Sequence, residues 1–277
     1  MREFRKKQKR LYKIMMCLVV FTAVYILVYI GIQPTVVNYS SQLNLYLSYV
    51  TDISIIASLV VIFLYYNKYG KSDSFLERTE CEIDDYAYYY TADAECDETR
   101  FLNKLSHNLA ENHFNVSSNI EAGDFEFDVF GFKKKEMFYA VNVESVSRND
   151  VLAYLDAVVT DVTVQRVKRS GNIVLCFVTD NAQEDAVAIS KMITPIGKKE
   201  QLKIAMVIIE PGTRKCYFLG NMQTKCQQMI LQFVLNTNSP IPEKLKGERR
   251  MKFQDDLEEK MKSFNIKEFK DGVFYSH

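Results

Sequence analysis

Residues 14–51 carry no charged side chain, and a second apolar run, residues 53–66, follows directly after Asp52. A bilayer's hydrocarbon core, roughly 30 Å thick, is crossed by about 20 apolar residues in a helix rising ~1.5 Å per residue. The run from Ile14 to Ile32 meets that length, and so does the run from Leu45 to Tyr66. Between them, residues 33–44 contain Pro34 and small polar side chains, which predicts a short loop. The N-terminal quarter is therefore expected to be a transmembrane hairpin, with antiparallel helices at about 14–33 and 45–66. The lipid bilayer is its first partner.

Basic residues set the expected orientation. Arg2, Arg5, Lys6, Lys7, Lys9, Arg10 and Lys13 precede the first helix, Lys68 and Lys71 follow the second, and the connecting loop has none. Such asymmetry places both ends in the cytoplasm, as an integral membrane protein. A cleaved signal peptide would have a shorter apolar stretch and a small-residue cleavage site, and neither is present. Asp52, near Tyr46 and Tyr49, is expected at the outer headgroup level.

The chain beyond residue 66 is long enough for one domain with a real core. Lys and Arg together number 35, as do Asp and Glu, so no global polyanion-binding signature exists. The cysteines, at 17, 81, 96, 176, 216 and 226, form no C-x-x-C pair, and His107, His113 and His277 stand far from them. A zinc site is unsupported, and free thiols are expected on the cytoplasmic side. Cys176 lies in an apolar strand pattern and is expected to be buried.

Five regions are expected: a basic cytoplasmic tail (1–13), the hairpin (14–66), an acidic, Tyr-rich connector (67–97), an α/β domain (98–240), and a C-terminal amphipathic helix with a tail (241–277). In the domain, apolar positions Phe101, Leu102, Leu105 and Leu109 have a helical period. Residues 125–132 and 137–143 alternate around the turn Lys133-Lys134-Lys135-Glu136 and read as a β-hairpin. Residues 149–167 read as helix, with a last part (162–167) open to a strand reading. Residues 173–179 form a continuous apolar run, as in a strand buried on both faces. A helix at 182–193 ended by Pro195, strands at 202–209 and 216–219, a helix at 222–235 and a charged helix at 248–264 complete a mixed sheet flanked by helices. On the last helix, Phe253, Leu257, Met261 and Phe264 make a narrow apolar stripe, a candidate docking face.

One constellation suggests chemistry. Successive strand side chains face opposite ways. If Val129 stands opposite Val141, then Asp128 stands opposite Asn142 and Glu126 opposite Glu144. Opposed Cβ atoms lie about 4.5–5.5 Å apart. Oxygen side chains at that spacing suit Mg²⁺ or Mn²⁺, which activates water for phosphodiester hydrolysis. The solvated face of a hairpin gives the same pattern without any ligand.

The order of a helix, Phe127-Asp128-Val129-Phe130, a Lys-rich turn, Tyr139-Ala140-Val141-Asn142-Val143-Glu144 and a helix resembles the restriction-endonuclease-like PD-(D/E)XK nucleases over residues 98–219. The resemblance implies an α/β nuclease core. In it Asp128 matches the acid of the second core strand, and Asn142 to Glu144 match the acid-x-Lys triplet of the third. Asn142 stands where the family has an acid, and Glu144 where it usually has lysine. Under that resemblance Asp128, Glu144 and Asn142 are the candidate catalytic residues. Asp128, Glu144 and Glu126 are the candidate Mg or Mn ligands, and nucleic acid is the substrate.

No strong catalytic motif occurs elsewhere: Gly70-Lys71-Ser72 lacks the preceding glycine of a phosphate-binding loop. The expected function is a membrane-anchored cytoplasmic module, non-catalytic, that binds a protein partner or assembles with copies of itself. The alternative is a membrane-tethered Mg- or Mn-dependent nuclease or its degenerate descendant.

Overall fold

The computed structural model describes residues 2–197 and 201–263. The chain divides into two compact units: Met1–Glu77 with Glu258–His277, and Arg78–Leu257.

The first unit is built on two long helices. Helix α1 spans Arg2–Tyr39 and α2 spans Ser41–Ile83, whose last residues belong to the second unit. Both are long and apolar enough to cross a membrane. Their apolar side chains are mostly exposed, among them Phe21, Leu27, Ile53 and Phe63. The expected loop at 33–44 is corrected. Pro34 lies inside α1, and Ser40 alone separates the helices. Ser40 N donates to Val36 O at 2.9 Å, and the Ser40 hydroxyl accepts from Leu43 N.

The helices pair antiparallel through a sparse polar seam: Thr22 Oγ1 and Ser58 Oγ are 2.9 Å apart, and Tyr29 OH donates to Asn44 Oδ1 at 3.0 Å. Met15, Tyr65 and Tyr69 pack between them. Arg5 and Gln8 both donate to Asp73 Oδ1, at 2.5 and 2.8 Å, so the basic tail is helical rather than free.

The connector at 67–97 is also corrected. Helix α2 runs through its first half, which holds no proline, and Tyr89–Tyr90 form strand β1.

In the second unit α3 spans Glu98–Glu111. Asp97 caps it, accepting from Arg100 N at 2.6 Å, and it buries Phe101, Leu102, Leu105 and Leu109. Each such side chain contributes about 1.5–3 kcal/mol. Strands β2 (Asn115–Ala122), β3 (Phe125–Lys133) and β4 (Glu136–Asn142) follow as an antiparallel meander. Next come β5 (Ser145–Val146) and α4 (Arg148–Thr160), opened by a Ser147/Asp150 capping box. A π-helical turn, Asp161–Gln165, stands where a strand was one reading.

The chain continues through β6 (Gly171–Val178), β7 (Asn181–Ala182), α5 (Glu184–Ser190), β8 (Ile193–Ile196), β9 (Leu202–Glu210), β10 (Lys215–Tyr217), α6 (Lys225–Phe233) and α7 (Lys252–Lys262). Phe264, the last member of the expected stripe, lies outside the described residues. Phe253 packs against the domain's core.

The main sheet runs β1-β10-β9-β6-β4-β3-β2, with β8 paired to β9. Strands β4, β6 and β9 are parallel. Alternation along them supplies two cores. Phe138, Val174, Cys176 and Val207 face α3 and α6, whereas Met137, Tyr139, Ile173, Leu175 and Met206 pack with α4 and α5. Strand β6 is thus buried on both faces, as its continuous apolar run predicts, and Cys176 is buried there.

Candidate functional site

The hairpin register differs from expectation. Val129 pairs with Ala140 and Phe130 with Tyr139, one residue away from the register that would oppose Val129 and Val141. The cause is a break in alternation at Asp128. Phe127 and Phe130 lie in one core and Val129 in the other. Across from this break, Asn119 of β2 adopts φ 53°, and the ladder skips the Asn119–Asp128 pair.

Each predicted site residue therefore has its own setting. Asp128 is half-buried, and its Oδ2 accepts the Asn142 backbone N–H at 2.7 Å. Asn142 is exposed at the end of β4, where it pairs with Val178. Glu126 is exposed and pairs with Glu121 of β2. Glu144 is exposed beyond β4, and its carbonyl accepts from Thr179 Oγ1 at 3.0 Å. The structure brings Asp128 and Asn142 together through a backbone bond. Among the described residues no group of three or more His, Cys, Asp or Glu is placed to hold a metal ion.

Charge is unevenly spread along the sheet, although Glu136 opens β4 and pairs with Lys225 at one end and Lys215 stands opposite Glu210 at the other. Asp128, Glu144, Asp180 and Glu210 sit where β4, β6 and β9 end. Lys133, Lys134, Lys135, Lys168, Arg169 and Lys203 sit where they begin. His107 forms a surface pair with Glu111 at 3.1 Å, and His113 takes φ 64° just past α3.

The most ordered polar cluster is one that sequence reading missed. Asp85 and Lys191 are both fully buried and form an ion pair at 2.9 Å. Lys191 Nζ also donates to the carbonyls of Tyr86 (2.6 Å) and Phe218 (2.8 Å). Asp85 accepts from Tyr89 OH at 2.5 Å, from the Asn221 N–H at 3.1 Å and from the Gly220 N–H at 3.1 Å. Every strong partner on both ions is satisfied, which a buried charge requires. Burial draws the Lys191 ammonium below its usual value, and Asp85 pushes it back up. Burial also raises the Tyr89 phenol, and the Asp85 charge adds to it.

The cluster holds the end of α2 in the domain. Gln254 Nε2 donates to the carbonyls of Glu82 (2.8 Å) and Asp85 (3.0 Å), satisfying acceptors left open at the helix terminus. Burial pushes the half-buried Glu82 carboxyl up to about 7; Lys191 opposes the rise and Asp85 adds to it. Gly220 is required by space, because a Cβ there would lie 2.4 Å from the Tyr89 ring. A cleft of about 210 Å³ opens beside Tyr89, Gly220 and Gln227. Lys191 is fully buried and does not line this cleft; its ammonium latches Asp85 to the carbonyls of Tyr86 and Phe218. The one sequence signal was the placement of Lys191 in an otherwise apolar stretch between α5 and β8.

No family model, no curated protein and no solved structure matches this chain.

Proposed function

We propose that this protein is a membrane-anchored interaction module, with both ends of its helical hairpin in the cytoplasm, that assembles with a second copy through the open edge of its sheet. Two helices of membrane-spanning length support the anchor, and the basic residues flanking them support the orientation. Counting about 1.5 Å per residue back from Lys68, the exposed Asp52 lies about 24 Å away, in the outer part of a ~30 Å core.

The observation that carries the assembly reading is strand β2. It ends the sheet, is eight residues long, and exposes Asn115, Ser117, Ser118 and Asn119. Its outer backbone groups form a template for strand addition, and Glu121 is its one charge. Copies confined to a bilayer meet at high effective concentration, which favours an isologous pair.

The test uses the full chain in membranes. Ser117→Cys should give a disulfide-linked dimer on mild oxidation, and adding Ser118→Pro should remove it. A protein that stays monomeric at every surface density, without cysteine coupling, would refute the assembly reading.

A further inference from the structure

The π-helical turn and the loop after it have an unusual surface. Val164 is 69% exposed and Val167 68%. Val167 also adopts φ 50°, a conformation that β-branched residues rarely take. Val164 lies on the π turn and Val167 just past it, and both π turns and strained backbone positions are frequent at functional sites.

The segment is not loose. Asp161, buried, accepts from Tyr139 OH at 2.5 Å and from Arg166 Nε at 2.6 Å. The Arg166 guanidinium stacks 4.2 Å over the Phe130 ring, and Lys168 Nζ lies 4.8 Å over Phe132. Asn172 N donates to Lys135 O at 2.8 Å. The two valines are therefore fixed beside the lysine turn of the β3–β4 hairpin. Around them stand Lys134, Lys135, Lys168 and Arg169, none of which pairs with a carboxylate among the described residues.

Two apolar tips ringed by cations match a surface that is anionic outside and apolar beneath. The opposite end carries Asp128, Glu144, Asp180 and Glu210 against Arg214 and Lys215, so anionic lipid is less favoured there.

We propose that the basic end of the sheet is a second membrane contact, in which Val164 and Val167 enter the headgroup layer of an anionic bilayer and Lys134, Lys135, Lys168 and Arg169 hold lipid phosphates. The proposal rests on the membrane anchor and is independent of the β2 edge. Each cation near such a surface is worth a factor of about five in the docked-to-undocked ratio.

The chain contains no tryptophan, so one introduced indole reports alone. Val164→Trp, Val167→Trp and, at the acidic end, Glu144→Trp would be placed singly in the full chain in nanodiscs with brominated acyl chains. The discs would hold phosphatidylcholine with or without phosphatidylserine. Co-elution with discs checks the anchor separately, and far-ultraviolet circular dichroism checks folding. Val164→Cys carrying a spin label gives the same depth readout should an indole disturb the turn.

The expected result is a blue-shifted, quenched signal at 164 and 167 with phosphatidylserine, none at 144, and reversal by raised salt. Replacing Lys134, Lys135, Lys168 and Arg169 with serine should lower the docked ratio on the order of several hundred-fold. No quenching in anionic discs would overturn the proposal, as would equal quenching in phosphatidylcholine alone. Shielding by added RNA or an acidic peptide without lipid quenching would also overturn it, making the patch a polyanion surface.

Discussion

Replacing Lys191 with methionine tests the latch most severely. The variant fits the space but removes the only cation bonded to Asp85 among the described residues. It also strands the carbonyls of Tyr86 and Phe218, which Lys191 now satisfies. Breaking a buried pair from one side costs about 3–5 kcal/mol. For a unit of this size, Arg78–Leu257, each kcal/mol is worth roughly 2–4 °C, so melting should fall by roughly 6–20 °C. Asp85→Asn, though nearly the same shape, should cost almost as much. All four groups around that carboxylate are donors, and an amide nitrogen would face one of them. In the double variant the penalties overlap, so the cycle should show a coupling of at least about 1.5 kcal/mol. Hydrogen exchange of β6 and β9 in the full chain in nanodiscs measures each term. A Lys191→Met cost below about 1 kcal/mol, or strictly additive costs, would refute the view that this pair secures the domain.

Glu82→Gln should behave in the opposite sense. A carboxyl raised from 4.5 to about 7 favours the folded state at low pH and loses that contribution as pH rises through about 7. At about 1.36 kcal/mol per pH unit, the gap is about 3 kcal/mol. The variant should therefore be more stable than the native chain at pH 8, and the two melting curves should converge near pH 4. Gly220→Ala should cost about 1–3 kcal/mol, because its Cβ meets a Tyr89 ring that Asp85 holds in place. Thr22→Val should loosen the helical hairpin by about 0.6–1.7 kcal/mol, measured by reversible unfolding in bilayers, since Ser58 loses its hydroxyl partner.

The parts of the fold legible in sequence were those with strong periodicity and burial on a definite face. Helix α3 and strand β6 are of this kind. Strand β2 was missed because Asn-Val-Ser-Ser-Asn-Ile-Glu is an edge sequence with little apolar alternation. Strand β8 was missed because Pro195 reads as a breaker, yet β8 pairs on one side with β9, where a missing N–H is tolerated. The hairpin register failed for a different reason. Both faces of β3 and β4 are buried, so apolar pattern could not choose between one register and the next. The alternation break at Asp128 then moved Val129 to the other core. The latch was illegible as a pair because Asp85 and Lys191 lie 106 positions apart, and the apolar stretch around Lys191 marks a buried lysine without naming its partner.

The anchor itself is tested most directly by cysteine labelling in sealed vesicles of known sidedness. In a background with Cys17, Cys81 and Cys96 replaced by serine, Ser40→Cys lies at the turn between α1 and α2, and Glu144→Cys lies on the domain. A membrane-impermeant maleimide added outside should label one of these and not the other, and inverting the vesicles should exchange them. Labelling of both in the same intact preparation, or release of the chain by alkaline carbonate, would contradict a membrane hairpin with its domain on the opposite side from its turn.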